Sequence, residues 1–394
     1  MSEQRPGDDA GRGWPVPTSA QLAFPHERPQ PYHLMLRTWS YAWWKPVLGV
    51  VLGVFWFLLG AALVYAITAA VYSVFEPGPW VHDFTSSFDA TGNVSPKVLL
   101  GTNLALGSLI PATWFLMRYV HRMRPRWLAS VLPRMRWTFL FACLGLAVIA
   151  LFVQIFVAAA LPSSGSGDTS LSGSLNTFTT ATAISAVVVL LTTPLQAAGE
   201  EYLFRGYLLM AVGSLFSSKW VAIVVTAVIF ALAHGSQNVP LFFDRLAFGL
   251  IAAWLVTHTG GIEAGIALHV LNNFLAFGLA LAYGDLTATL NVSESSWWQI
   301  PVTVAQSVVY TGLVVLVARW MGLRNTTSPP RDEPEQSTGP AVATARREAS
   351  HVAACGGSCG FGGEQADVYS RPGFARSHTH GVWGNWQPDW FWSS

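Results

Sequence analysis

Long apolar runs dominate this chain and are separated by short polar segments. A helix needs about 20 apolar residues to cross the hydrocarbon core of a bilayer. The fourth run continues into an acidic pair at Glu200 and Glu201, and the fifth and sixth runs are short. The runs cover residues 46–75, 98–117, 137–161, 181–201, 220–233, 246–257, 262–283 and 300–321. This pattern predicts an all-α polytopic membrane bundle of about eight transmembrane helices.

The composition is typical of a membrane protein. Of the 394 residues, 52% are hydrophobic and only 11% are charged, and the mean hydropathy is +0.40. Soluble domains carry about 25% charged residues. The lipid bilayer is therefore an expected partner. A net charge of +1 provides no basic field for nucleic acid, so no nucleic-acid partner is expected.

Basic residues are distributed unevenly between the polar segments. They concentrate before the first run, after the eighth, and between the second and third, where six arginines lie between residues 118 and 136. The segments 76–96 and 162–176 carry none. Because Lys and Arg in short loops stay on the cytoplasmic side, we expect both termini in the cytoplasm. The predicted location is the plasma membrane, with multiple passes.

The two ends of the chain are polar and rich in Pro, Gly and Ser. Such a composition buries too little apolar surface to fold. We predict a disordered cytoplasmic N-terminus over residues 1–40, a membrane domain over 41–324 and a disordered cytoplasmic tail over 325–394. A metal ion could be held in the tail, but the loose spacing of its candidate ligands favours a low-complexity segment. Those candidate ligands are Cys355, Cys359, His378 and His380.

The first group of polar residues in an apolar run is Glu200, Glu201 and Arg205. A charged side chain at mid-membrane costs about 2.5–3.5 kcal/mol, so it is kept where it is paired, hydrated or used. Glu201 and Arg205 are four residues apart, in the order that favours a helical ion pair. Glu200 is rotated by about 100° and faces elsewhere. Taken alone, the group could also be a helix end with snorkelling charges.

Two further groups have the same four-residue spacing. Phe230 and His234 share one helix face, and His269 and Asn273 share another. Asn272 points elsewhere. Taken singly, His234 could be a structural residue at a helix end. His269 and Asn273 could form hydrogen bonds between helices.

Together, the three groups supply the components of a water-activating site. Glu200 with His234 could deprotonate a water molecule, and His269 with Asn273 could donate hydrogen bonds to an oxyanion. A divalent metal such as zinc, held by Glu200, His234 and His269, is the alternative. The chain contains no His-Glu-x-x-His motif.

Helix geometry supports this grouping. The turn between the fourth and fifth runs is predicted near Ser217 and Ser218, and Glu200 and His234 each lie 17 residues from Ser217. Antiparallel helices would therefore bring Glu200 and His234 to one level, about 25 Å from that turn. This level is deep in the membrane unless the helices project beyond the bilayer.

These groups resemble the motifs of the CPBP family, the CAAX-processing and bacteriocin-immunity (Abi) membrane proteases. That family carries Glu-Glu-x-x-x-Arg, Phe-x-x-x-His and His-x-x-x-Asn/Asp motifs, which match residues 200–205, 230–234 and 269–273 in this order. The matched motif core spans residues 180–285. The resemblance implies that Glu200 and His234 activate water and that His269 and Asn273 stabilise the oxyanion. It also implies that Glu201, Arg205 and Phe230 shape the site.

The expected function is that of an intramembrane endopeptidase acting on a membrane protein or peptide. A non-enzymatic immunity or scaffold protein with the same fold is a second class. A transporter that binds an ion or a proton is a third, but transporters usually contain inverted repeats, and no clear repeat is present. The intact motifs favour the enzyme. The family is often regarded as metal-dependent, and the residues alone leave open the choice between metal and glutamate-only chemistry.

Overall fold

The computed structural model describes residues 25–75, 95–161, 174–284, 286–290 and 292–328. The regular structure in these ranges is helical, without a β-strand. Eight principal helices follow one another: α1 Trp44–Val74, α2 Pro96–Val120, α3 Trp137–Ala160, α4 Thr180–Phe216, α5 Lys219–Leu232, α6 Val239–Thr259, α7 Glu263–Tyr283 and α8 Gln299–Trp320. Short helical turns lie at Tyr32–Leu34, Pro125–Leu128 and Leu286–Leu290.

Seven of the principal helices in the described ranges are long and apolar enough to cross a membrane. The remaining helix, α5, corresponds to the short fifth run of the sequence and has 14 residues. It rises about 21 Å, which is less than the hydrocarbon thickness of about 30 Å. The prediction of an all-α membrane bundle is confirmed. Of the two runs predicted to be short, the fifth forms the short helix α5, whereas the sixth forms α6, which has 21 residues and is long enough to span.

Capping residues set the ends of the helices around the site. Thr179 precedes α4 and accepts a hydrogen bond from the backbone nitrogen of Thr182, which closes a capping box. The side chain of Asn238 accepts from the backbone of Leu241 at the start of α6. Helix α6 ends at Gly260, whose φ of 72° is a left-handed conformation that glycine adopts without steric cost.

Six helices close into a ring in the order α4, α7, α3, α8, α6 and α5. The ring closes because α5 packs back against the C-terminal part of α4 after a turn at Ser217 and Ser218, where the sequence predicts it. Helix α2 packs outside the ring against α4, and α1 packs against α2. The crossing of α2 and α4 is tight, since a Cβ on Gly199 would lie 2.2 Å from the carbonyl oxygen of Leu106.

A buried ion pair ties α3 to α7 within this ring. The guanidinium of Arg136 donates to both oxygens of Glu263, from Nε at 2.8 Å and from Nη2 at 2.6 Å. The backbone nitrogen of Arg136 also donates to Glu263, and Nη1 donates to the carbonyl oxygen of Thr259. The side chain of Glu263 is fully buried. From sequence alone Arg136 is a loop cation, because its partner lies 127 residues away on another helix.

Helix α4 is longer than a membrane span. Its 37 residues rise about 55 Å, and residues 204–214 near its C-terminal end are all buried in protein. Part of α4 therefore projects beyond the hydrocarbon core. Because α4 is this long, Glu200 and His234 can lie about 25 Å from the turn between α4 and α5 without lying equally deep in the membrane.

Residues 25–43 cover the C-terminal end of α4. Tyr32, Met35 and Leu36 are buried in the main core, and Arg37 donates two hydrogen bonds to the carbonyl oxygen of Ser214. The disorder predicted up to residue 40 therefore does not extend over residues 25–40, because their apolar side chains pack against α4. Residues 1–24 and 329–394 lie outside the described residues. The predictions for Cys355, Cys359, His378 and His380 fall in the second of these ranges.

Candidate active site

The acidic pair lies in the middle of α4, directly before a π-helical segment at Tyr202–Leu208. Both carboxylates are buried, and Glu201 is 0% exposed. Oε1 of Glu201 accepts from Arg205 Nη1 at 2.8 Å and contacts His269 Nδ1 at 2.9 Å. The predicted ion pair between Glu201 and Arg205 is present, and its carboxylate also holds the imidazole of α7. π-Helical turns are frequent at functional sites.

Aromatic rings from two other helices enclose Arg205. Its guanidinium carbon lies 3.9 Å from the ring centroid of Phe230 on α5 and 5.3 Å from that of Phe248 on α6. Both rings also contact His269. A cation over aromatic faces is stabilised by the ring quadrupoles. Side chains from α4, α5, α6 and α7 therefore converge around the pair of Glu201 and Arg205.

The crossing of α4 and α7 leaves no space beside Glu201. A Cβ on Gly265 would lie 2.6 Å from Oε2 of Glu201. Oε2 itself is buried and has no hydrogen-bond partner among the described residues. Glycine at position 265 thus allows α7 to approach close enough for His269, one turn later, to reach the carboxylate.

Each of the two histidines uses its Nδ1 atom for a hydrogen bond within the protein. His269 must donate from Nδ1 to Glu201, and His234 must donate from Nδ1 to the carbonyl oxygen of Phe230 at 2.8 Å, because both partners can only accept. Each imidazole therefore keeps Nε2 available. Nε2 of His269 lies 3.9 Å from Oε2 of Glu200. The side chain of His234 is exposed.

A glutamine outside the three motifs, Gln196, connects two of the predicted site residues. Nε2 of Gln196 donates to Oε1 of Glu200 at 2.5 Å, and Oε1 of Gln196 accepts from Nδ2 of Asn273 at 2.8 Å. Gln196 lies four residues before Glu200 on α4 and therefore shares its helix face. That spacing was the signal available in the sequence.

Most of the predicted site residues are joined by direct contacts. Those in one network, whose two halves meet where His269 faces Glu200 at 3.9 Å, are Glu200, Glu201, Arg205, Phe230, His269 and Asn273, with Gln196 and Phe248 as additional members. His234 contacts the network through the ring of Phe230, with centroids 4.8 Å apart, and interacts electrostatically with Glu200. Asn272 faces away, as predicted, and accepts from Gln306 of α8 at 2.7 Å.

The metal alternative requires three ligands at one point. Among the residues that the structure describes, no three His, Cys, Asp or Glu side chains form a group that could hold a metal ion. Glu200 and His269 face one another, but His234 is not placed with them as a third ligand. The geometry therefore does not fit a metal held by these three residues, and no chemical step is derived through one.

Comparison with known proteins identifies one family and one relative. Residues 181–275 match a family model described as type II CAAX prenyl endopeptidase Rce1-like. The uncharacterized protein YyaK of Bacillus subtilis (strain 168) is 23% identical over 218 residues, which cover 52% of this chain and 71% of YyaK. No solved structure matches. Over residues 181–275 the chain is therefore similar to the Rce1-like type II CAAX prenyl endopeptidases, which confirms the family resemblance that the three motifs carry.

Proposed function

We propose that this protein is an intramembrane endopeptidase that hydrolyses a peptide bond in a membrane protein or peptide. The observation that carries the proposal is the arrangement of Glu200. Gln196 holds Oε1 through a hydrogen bond, whereas Oε2 faces Nε2 of His269 at 3.9 Å, which is beyond hydrogen-bond distance. A buried carboxylate with one oriented oxygen and one available oxygen is suited to accept a proton from water.

In the proposed reaction, Glu200 acts with His234 on the attacking water. Oε2 of Glu200 takes one proton from the water, whose oxygen adds to the scissile carbonyl carbon. The carbon–nitrogen bond then breaks, and the proton passes from Glu200 to the departing amine. His234 supports this step as an acceptor, because its Nδ1 donates to Phe230 and leaves Nε2 for the water.

His269 and Asn273 are proposed to stabilise the oxyanion. One hydrogen of the Asn273 amide is engaged by Gln196, and the second is available. The Nδ1 hydrogen of His269 is engaged by Glu201, so His269 donates from Nε2 only as an imidazolium. The carboxylate of Glu201 would balance that positive charge, which gives Glu201 and Arg205 a supporting role.

The proposal can be tested with the full-length protein in proteoliposomes. A pool of fluorescent peptides with apolar membrane anchors is incubated in water enriched in oxygen-18, and the products are weighed by mass spectrometry. We expect fragments whose new carboxyl group has gained one oxygen-18 atom. If folded protein yields no fragment from any peptide in the pool, the non-enzymatic alternative is favoured.

The distribution of Lys and Arg supports a plasma-membrane protein with both termini in the cytoplasm.

Replacing Gln196 by leucine is expected to lower kcat about 10- to 100-fold and to change KM little. A hydrogen bond to a charged group contributes about 1.5–3 kcal/mol, and each 1.4 kcal/mol corresponds to a factor of ten. Without Gln196, Glu200 and Asn273 both lose the group that orients them. The measurement is steady-state cleavage kinetics, together with the thermal midpoint of unfolding.

Gln306→Leu provides the matched control for this variant. Gln306 has a buried amide that donates to Asn272, the residue before Asn273 on α7. Neither Gln306 nor Asn272 takes part in the proposed reaction. The same loss of kcat in both variants would indicate general destabilisation and would contradict a positioning role for Gln196.

A further inference from the structure

Arg245 is a half-buried arginine that lies close to the site and has no role in the reaction described above. Arg245 is on α6, one turn before Phe248. Its Nη1 donates to Oε1 of Gln237 at 2.8 Å, and its Nη2 donates to the carbonyl oxygen of Val292 at 3.2 Å. Gln237 follows His234 by three residues, so the guanidinium lies at the loop that carries the exposed imidazole.

Arg245 lacks the close ion pair that two buried arginines, Arg136 and Arg205, each form. Arg136 is paired with Glu263, and Arg205 is paired with Glu201. Within the described ranges, Arg245 has no carboxylate at ion-pair distance. A guanidinium carries five N–H donors, of which neutral acceptors engage two.

The position of Arg245 places this available charge beside the proposed reacting groups. Glu200 and His234 both interact electrostatically with Arg245. Its neighbour Asp244 also interacts electrostatically with Arg245 and with Thr303 of α8, but within the described ranges no ion pair joins the Asp244 and Arg245 side chains. A cation in an apolar bundle is retained where it is paired or used.

We propose that Arg245 binds a carboxylate of the substrate, either an acidic side chain or the C-terminal carboxylate, at the entrance to the candidate active site. The inference rests on the proposed function. Arg245 would be a specificity-determining residue: two parallel N–H donors match the geometry of a carboxylate. Holding the loop after His234 does not require this charge, since Asn238 already connects that loop to Ser293 and Ser295.

The test uses full-length protein in nanodiscs of zwitterionic lipid. Fluorescent peptides share one apolar anchor and differ only in charge: one has a free C-terminal acid, one an amidated C-terminus with an Asp, and one an amidated C-terminus with an Asn. Retention by the nanodisc and cleavage are both measured, for the natural protein and for Arg245→Gln and Arg245→Lys. Arg319→Gln, which removes an exposed arginine at the end of α8, is the matched control.

We expect at least one carboxylate peptide to be retained about tenfold better than the neutral peptide, as a charge-assisted hydrogen bond would give. Arg245→Gln should abolish this difference, Arg245→Lys should keep part of it, and Arg319→Gln should behave as the natural protein. The free acid and the Asp peptide distinguish a terminal carboxylate from a side chain.

Equal retention of all three peptides by the natural protein would overturn the inference. The inference would also be overturned if Arg245→Gln lowered the retention of charged and neutral peptides equally, because that result would indicate a structural role. Charge-selective retention without cleavage would contradict the proposed function and leave the role of Arg245 standing. Cleavage without charge selectivity would support the proposed function and overturn the inference about Arg245.

Discussion

Glu200→Gln is expected to lower the rate of peptide cleavage by about 10²–10⁴-fold, the contribution of a positioned acid–base group. Glutamine has the shape of glutamate, and its carbonyl oxygen can still accept from Gln196. The amide has no basic oxygen that could take a proton from water. The residue is 7% exposed, so the variant removes a buried charge and should fold without loss of stability.

The measurement for this variant is a single-turnover cleavage assay with the thermal midpoint determined on the same sample. Glu27→Gln is the matched control, because Glu27 is an exposed carboxylate outside the membrane helices. If Glu200→Gln cleaves as fast as Glu27→Gln, then Glu200 does not activate the water. The candidate base would then have to be sought at His234 or His269.

Arg136→Leu is expected to lower the free energy of unfolding by about 3–5 kcal/mol, because removing one partner of a buried pair leaves the other charge uncompensated. Glu263 would keep only the backbone hydrogen bond from position 136 and would remain fully buried between α3 and α7. Unfolding of the full-length protein in mixed micelles with increasing SDS fraction measures the loss.

The double variant Arg136→Leu/Glu263→Leu separates loss of charge balance from loss of packing. Two apolar side chains leave no buried charge, so we expect the double variant to be more stable than Arg136→Leu alone. Arg319→Gln is the exposed control and should unfold as the natural protein does. Additive losses from the two single substitutions would contradict a coupled pair.

The spacing of residues along the sequence predicts a contact in the candidate site only where one helix carries both interacting residues. The pair of Glu201 and Arg205 was predicted from a spacing of four residues and is present at 2.8 Å. The same spacing connects Gln196 to Glu200, but a glutamine in an apolar helix gives no signal until its partner on another helix is known. Phe248 gave no signal at all, because one aromatic residue in a membrane helix resembles any other apolar residue.

The sequence by itself determined that this protein is a bundle of membrane helices, because the length of an apolar run and the spacing of polar residues along one helix are local properties. The sequence also contains the three motifs, which lie within the residues that match a peptidase family model, 181–275. Only the tertiary structure decided which polar groups meet across helices. Gln196 and Asn273 are 77 residues apart, and Arg136 and Glu263 are 127 apart. Such contacts depend on how the ring of helices closes, and the same packing brings Arg245 to Gln237, in the loop that follows His234.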